Sequence, residues 1–173
     1  LQYRVEANLI VLFDQLIILL FTLIRKKAQT ISQSYRDWGI AMLGTIMPLF
    51  VAPIGAYSLL PPQITIPIML LGLCLHLVAK FFLSRSFGVV PARREIKRLG
   101  PYRIVRHPMY LGYMIVQTGL FLSGPTLYNF CIILSCWTLH ILRISAEEKI
   151  LKQDPLYHTL IAQTPYRLVP GIY

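Results

Sequence analysis

Acidic residues are scarce in this chain. Seven Asp and Glu stand against 17 Lys and Arg, a formal net charge of +10. In a soluble domain that excess would point to nucleic acid. Here the basic residues fall in the gaps between apolar stretches, which fits loops beside anionic lipid better, so no nucleic-acid partner is expected. Charge of any sign is thin, at 14% of residues against 55% hydrophobic, which argues against a soluble globular protein. Cysteine is limited to Cys74, Cys131 and Cys136. All three lie in apolar segments without metal-ligand spacing, so they read as reduced core or lipid-facing residues and no metal is expected. Internal repeats and low-complexity tracts are absent. The first apolar run contains Asp14 and closes on Arg25-Lys26-Lys27 with no small-residue cleavage site, so a cleavable signal peptide is not expected.

Long apolar runs are what the chain does have. Leu9 to Ile24 is slightly short of the roughly 20 residues that span a bilayer, so its helix is expected to begin nearer Val5. Trp38 to Leu60 contains Pro48 and Pro53 and reads as a kinked helix. Gln63 to Leu83 follows a Pro61-Pro62 turn. Pro108 to Ser123 and Thr126 to Leu142 flank Gly124-Pro125 and read as a helical hairpin. The fold class expected is an all-α integral membrane protein of about five transmembrane helices. Residues 1–83 supply three spans. Residues 84–173 supply a polar loop, the hairpin and a polar tail.

Basic residues orient these spans. Four lie in the 25–38 loop, seven in the 84–107 loop and four in the tail, so 15 of the 17 share one side. The expectation is an N-terminus outside, a multi-pass chain and a cytoplasmic working face.

The stretch Gly100-Pro101-Tyr102-Arg103-Ile104-Val105-Arg106-His107-Pro108-Met109-Tyr110-Leu111-Gly112 joins the longest polar loop to an apolar segment. Pro108 is favoured at a first helical position and biases His107 away from helix. His107 then stands at the mouth of an apolar helix, where backbone N–H groups and the dipole favour an anion. With a neighbouring arginine it makes a site for a carboxylate or phosphate. The competing reading is a basic stop at the membrane surface, with Arg106 reaching the headgroups.

A second constellation closes the fifth segment. His140, Arg143 and Glu147 are spaced i, i+3, i+7 and share one helical face. Glu148 and Lys149 read instead as solvated turns beyond the membrane. Asp14 is an ionisable residue inside a span, read here as lying near the outer interface. His76 reads as a satisfied bundle histidine, and Lys80, on the same face, as a side chain that snorkels to the surface.

Arg106-His107-Pro108-Met109-Tyr110 after Gly100-Pro101-Tyr102, then a short hydrophobic hairpin, then Arg143-Ile144-Ser145-Ala146-Glu147-Glu148, then Pro165-Tyr166-Arg167-Leu168-Val169-Pro170-Gly171 resembles the isoprenylcysteine carboxyl methyltransferase family. Phospholipid N-methyltransferases share the broad pattern. The resemblance covers about residues 84–173. It implies a membrane enzyme that methylates a lipophilic acceptor with S-adenosyl-L-methionine. By matching position it implies that Tyr102, His107, Pro108, Met109, Tyr110 and Glu147 bind the cofactor and that Arg143, as the catalytic residue, faces the acceptor's carboxylate. Arg94 to Lys97 does not match by residue type, and nothing is carried over there. The Gly-rich Rossmann loop of soluble methyltransferases is absent.

Simple chemistry agrees with those roles. A carboxylate is already ionised near pH 7, so its methylation needs alignment and desolvation rather than a base. An amine acceptor would need a base such as Glu148. Arg143 favours the carboxylate; N-methylation of a phospholipid or lipid amine is the alternative. A nicotinamide-dependent reductase, suggested by the Pro-Tyr-Arg and Pro-Gly-Ile-Tyr ending, would need about twice as many spans. A non-enzymatic membrane scaffold is the structural alternative. Arg167 is a further candidate for contact with cofactor or substrate.

Overall fold

The computed structural model describes residues 2–28, 30–52, 58–93 and 96–173, without the side chains of 2–8, 10, 11, 14, 15 and 85. The Asp14 side chain, Pro53 and Arg94 therefore lie outside the described residues. The chain is mostly helical. Helix α1 covers Gln2–Leu23 and stops before Arg25-Lys26-Lys27. Helix α2 covers Tyr35–Ile46, and a 3-10 turn continues it over Met47–Phe50. This differs from the kinked helix expected over Trp38–Leu60. Pro48 has no N–H for a helical bond, and the α-helical pattern ends beside it. At 12 residues α2 is about 18 Å long, too short to cross a hydrocarbon core of roughly 30 Å alone.

Helix α3 covers Pro62–Leu83, with Pro62 at its first turn. Helix α4 covers Pro108–Ser123, the bounds expected from Pro108 and Gly124. Helix α5 covers Leu127–Leu151 and begins at Thr126, whose side chain accepts a hydrogen bond from Asn129 N. A short helix α6, Pro155–Gln163, is capped in the same way by Asp154. Two two-residue strands, β1 (Thr30–Ile31) and β2 (Ala92–Arg93), pair antiparallel and tie the two loops together.

Among the described residues, α3 and α5 are long and apolar enough to cross a membrane. Their outer faces carry large exposed apolar side chains, Leu71 and Phe81 on α3 and Phe130 and Leu134 on α5. A contiguous apolar surface of this kind marks a membrane or partner interface.

Helices α3 and α4 pack at backbone distance. A methyl group on Gly72 would sit 2.7 Å from Gly112 O, and one on Gly112 would sit 2.6 Å from His76 Cβ. Small residues that let helices approach so closely are a common membrane contact. The polar side chains on this seam are buried in it. His76 lies with its ring 4.9 Å from that of Tyr113. Lys80 does not snorkel: it is fully buried, its Nζ 5.0 Å from the centre of the Tyr113 ring. Asn129 fastens α5 to the segment after α2, donating to Ala52 O at 3.0 Å and accepting from Ala52 N at 3.1 Å. The larger core cluster gathers Ile18, Ala79, Phe87, Tyr102, Met109, Tyr110, Ile144 and Leu168, so it joins helices from both halves of the chain to the tail.

Candidate active site

His107 precedes α4 with φ −127° and ψ 56°, outside the helical region that Pro108 disfavours for it. The tail lies alongside it. Arg106 N donates to Tyr166 O and His107 N to Arg167 O, each at 2.9 Å. The backbone N–H of His107 is thus already engaged by the tail, and Pro108 has none.

The anion beside His107 is an internal one. Glu148 is 2% exposed. Arg106 Nε donates to its Oε1 at 3.0 Å, and His107 Nε2 lies 3.3 Å from the same oxygen. Arg167 donates to Oε2 through Nε at 3.1 Å and Nη2 at 2.9 Å. Arg106 Nη1 also donates to Thr164 O at 2.8 Å and to Pro165 O. This corrects two expectations. Glu148 is no solvated residue beyond the membrane, and Arg106 neither reaches headgroups nor waits for a ligand. One step round a helix is about 100°, which turns Glu148 from the Glu147 side of α5 toward the tail. Lys149 is exposed, as expected. Glu148 holds the Arg167 guanidinium in its charged form.

Glu147 faces a different space. Tyr110 OH donates a short hydrogen bond to Glu147 Oε1, and His107 Nδ1 lies 3.9 Å from Glu147 Oε2. These side chains border a cavity of about 110 Å³, also lined by Tyr102, Arg106, Met109, Lys97, Leu160 and the Tyr157 side chain. Of the residues expected to bind the cofactor, Tyr102, His107, Met109, Tyr110 and Glu147 line this cavity together. Pro108 is buried behind it and does not. Burial, and next the nearby Glu147 charge, push the Tyr102 hydroxyl well above its ordinary pKa, so it stays a neutral donor.

Arg143 lies elsewhere. It is 4% exposed and borders a second, small cavity of about 30 Å³. That cavity is mostly apolar, with Ile18 of α1, Pro48 after α2, and Val116 and Leu120 of α4 in its wall. The guanidinium stacks over the Tyr110 ring at 5.4 Å and donates to Val89 O at 2.9 Å. A looser bond at 3.4 Å reaches Thr45 Oγ1. Among the described residues no carboxylate pairs with it, and its Nε is buried without a hydrogen-bond partner. Arg143 fits there because residue 44 is glycine: a Cβ at Gly44 would lie 3.1 Å from Arg143 Cδ.

The two cavities meet at Phe87, which lines both, and at Tyr110, which borders the first and carries Arg143 on its ring. The first wall carries the charged side chains Arg106, His107, Lys97 and Glu147 and the second the single cation Arg143, so an aromatic partition separates a charged site from a largely apolar one. Sequence reasoning misread Glu148 and missed Gly44, Thr45 and Gln117. Gln117 did carry a signal, being a polar side chain in the middle of an apolar run. Gly44 and Thr45 carried none, because their role exists only once α2 packs on α5.

A model of the phospholipid methyltransferase family matches residues 66–154, just over half of the chain. The match takes in α3, α4, Arg143, Glu147 and Glu148. No curated protein matches the chain significantly. The matched segment supplies most of the first cavity's wall and part of the second's, and the chain belongs to the phospholipid methyltransferase family, which includes the isoprenylcysteine carboxyl methyltransferases and the phospholipid N-methyltransferases.

Proposed function

We propose that the protein is a multi-pass membrane methyltransferase that uses S-adenosyl-L-methionine to esterify the carboxylate of a lipid-tailed acceptor. Family membership and the two long apolar helices support the coarser part, a methyltransferase of the membrane. The observation that carries the finer part is Arg143, a buried cation with no carboxylate partner among the described residues, on the wall of an apolar cavity. Leaving such a charge unpaired is costly, and an anionic acceptor would remove that cost.

The residues of the first cavity fit the cofactor. S-adenosyl-L-methionine supplies an electrophilic methyl group on a sulfonium. The carboxylate of Glu147 suits its ammonium, and the rings of Tyr102 and Tyr110 suit its adenine and its cationic centre. His107, between Glu147 and Glu148, orients the acids rather than supplying a proton.

Arg143 aligns the acceptor carboxylate through its planar fork. The apolar wall around it excludes water, which strengthens that contact and bares the nucleophilic oxygen. No base is required, because the oxygen is already ionised. An amine would need one, and Glu148 is engaged by Arg106, His107 and Arg167, so it is poorly placed to take a proton. The acceptor's tail stays in lipid below the cavity. The excess of basic residues in the loops supports a cytoplasmic position for this face, and a reporter fused after Tyr173 should then be cytoplasmic.

Membranes given methyl-labelled S-adenosyl-L-methionine test the reading. The label should enter a lipid fraction and leave it in mild alkali, as an ester does. Alkali-stable label on an amine would overturn it.

A further inference from the structure

The second cavity carries polar chemistry that methyl transfer to a carboxylate does not use. Gln117 of α4 and His140 of α5 both line it, at 3% and 1% exposure. Gln117 Nε2 lies 3.2 Å from His140 Nε2. The imidazole is held from the other side by the Tyr113 ring, stacked at 5.6 Å and 24°. Gln117 Oε1 and His140 Nδ1 are buried without a hydrogen-bond partner among the described residues. Buried polar atoms are rarely left so, and in a membrane span water does little to relieve them.

The pair can be arranged in two ways around a neutral imidazole. The Gln117 amide N–H donates to His140 Nε2, which leaves Gln117 Oε1 as an acceptor and His140 Nδ1–H as a donor. Alternatively the amide is turned and its oxygen accepts from Nε2–H, which leaves an amide N–H as donor and Nδ1 as acceptor. Both arrangements offer one free acceptor and at least one free donor. Their complement is a neutral group that donates and accepts at once, a secondary amide or a hydroxyl. His140 and Arg143 are three residues apart, so about 4.5 Å of helix rise separates them.

We propose that Gln117 and His140 form a specificity subsite for an amide or hydroxyl that the lipid acceptor carries next to its carboxylate. The acceptor class is then an N-acyl amino acid or a hydroxylated acid rather than a plain fatty acid. This rests on Arg143 as the partner of the carboxylate.

Three acceptors of equal chain length test it: an N-acyl glycine, a 2-hydroxy fatty acid and the unsubstituted acid. Equilibrium binding and methyl transfer are measured on the purified protein in nanodiscs. The amide or the hydroxyl acceptor should bind about tenfold tighter than the plain acid, as two hydrogen bonds allow. Whichever of the two is preferred identifies the group that is read. In Gln117→Leu that preference should shrink toward one, with cofactor affinity unchanged. Equal binding of all three acids by the unaltered protein, which needs no variant, overturns the subsite while carboxyl methylation stands. Equal weakening of all three acids in Gln117→Leu overturns it as well, since a purely structural pair would behave so. Methylation of amines alone, with no acid bound, removes the function proposed above and the subsite with it.

Discussion

Replacing Glu148 by Gln keeps the shape of the most connected side chain and removes its charge. The structure sets the cost. Arg106 is 7% exposed and its Nε donates to Glu148 at 3.0 Å. Removing one partner of a buried ion pair strands the other and typically costs about 3–5 kcal/mol. Arg167 is more open and can turn toward water, so its loss adds little. A total of about 3–5 kcal/mol is a fifth or more of the roughly 5–15 kcal/mol that holds a domain folded. The assay is denaturant unfolding in detergent, with limited proteolysis after Pro165 as a local probe. Arg106→Gln alone should cost a similar amount. The double variant Glu148→Gln, Arg106→Gln should cost much less than the two single effects together, because a neutral pair leaves no stranded charge. Single variants within about 0.5 kcal/mol of the parent, the usual scatter of surface changes, with tail protection unchanged, would refute the reasoning.

Other outcomes follow from the same geometry. His107→Ala and Glu147→Gln should each weaken S-adenosyl-L-methionine binding about tenfold or more by calorimetry, since each loses a bond to a charged group; unchanged affinity in both folded variants would remove the first cavity from the cofactor's path. Arg143→Lys should lower turnover of a carboxylate acceptor while leaving cofactor affinity nearly intact, because charge survives but the planar fork does not; loss of cofactor binding in this variant would place Arg143 on the other ligand. Gly112→Ala should destabilise by several kcal/mol, since its methyl meets His76 Cβ at 2.6 Å across two rigid backbones; parent-like thermal stability would show that α3 and α4 are free to separate.

Much of this was legible where local rules decide. Pro108 and Gly124 marked the ends of α4, and the spacing of Arg143 and Glu147 put both on one side of α5. The Pro48 region was misread because an apolar run looks the same whether one helix continues or a 3-10 turn breaks it. Glu148 and Lys80 were misread for a shared reason. A charged side chain near a helix end is assigned to water by default, and only tertiary partners far along the chain reverse that, Arg167 for one and Tyr113 for the other. The division into two cavities was out of reach, because the second is walled by α1 and α2, whose contribution depends on packing against α5.

The backbone hydrogen bonds from residues 106 and 107 to 166 and 167 have a consequence for how the chain is made. Arg106 and Glu148 leave the ribosome well before Thr164 to Arg167, and a helix beginning at Pro108 can insert long before its mouth is closed. Until the tail arrives, two carbonyl partners of Arg106 and one cation of Glu148 are missing. Completion of the ion cluster is therefore a late event in biogenesis. A nascent chain halted before Thr164 would present quality-control proteases with an inserted bundle whose polar seam is still open to water.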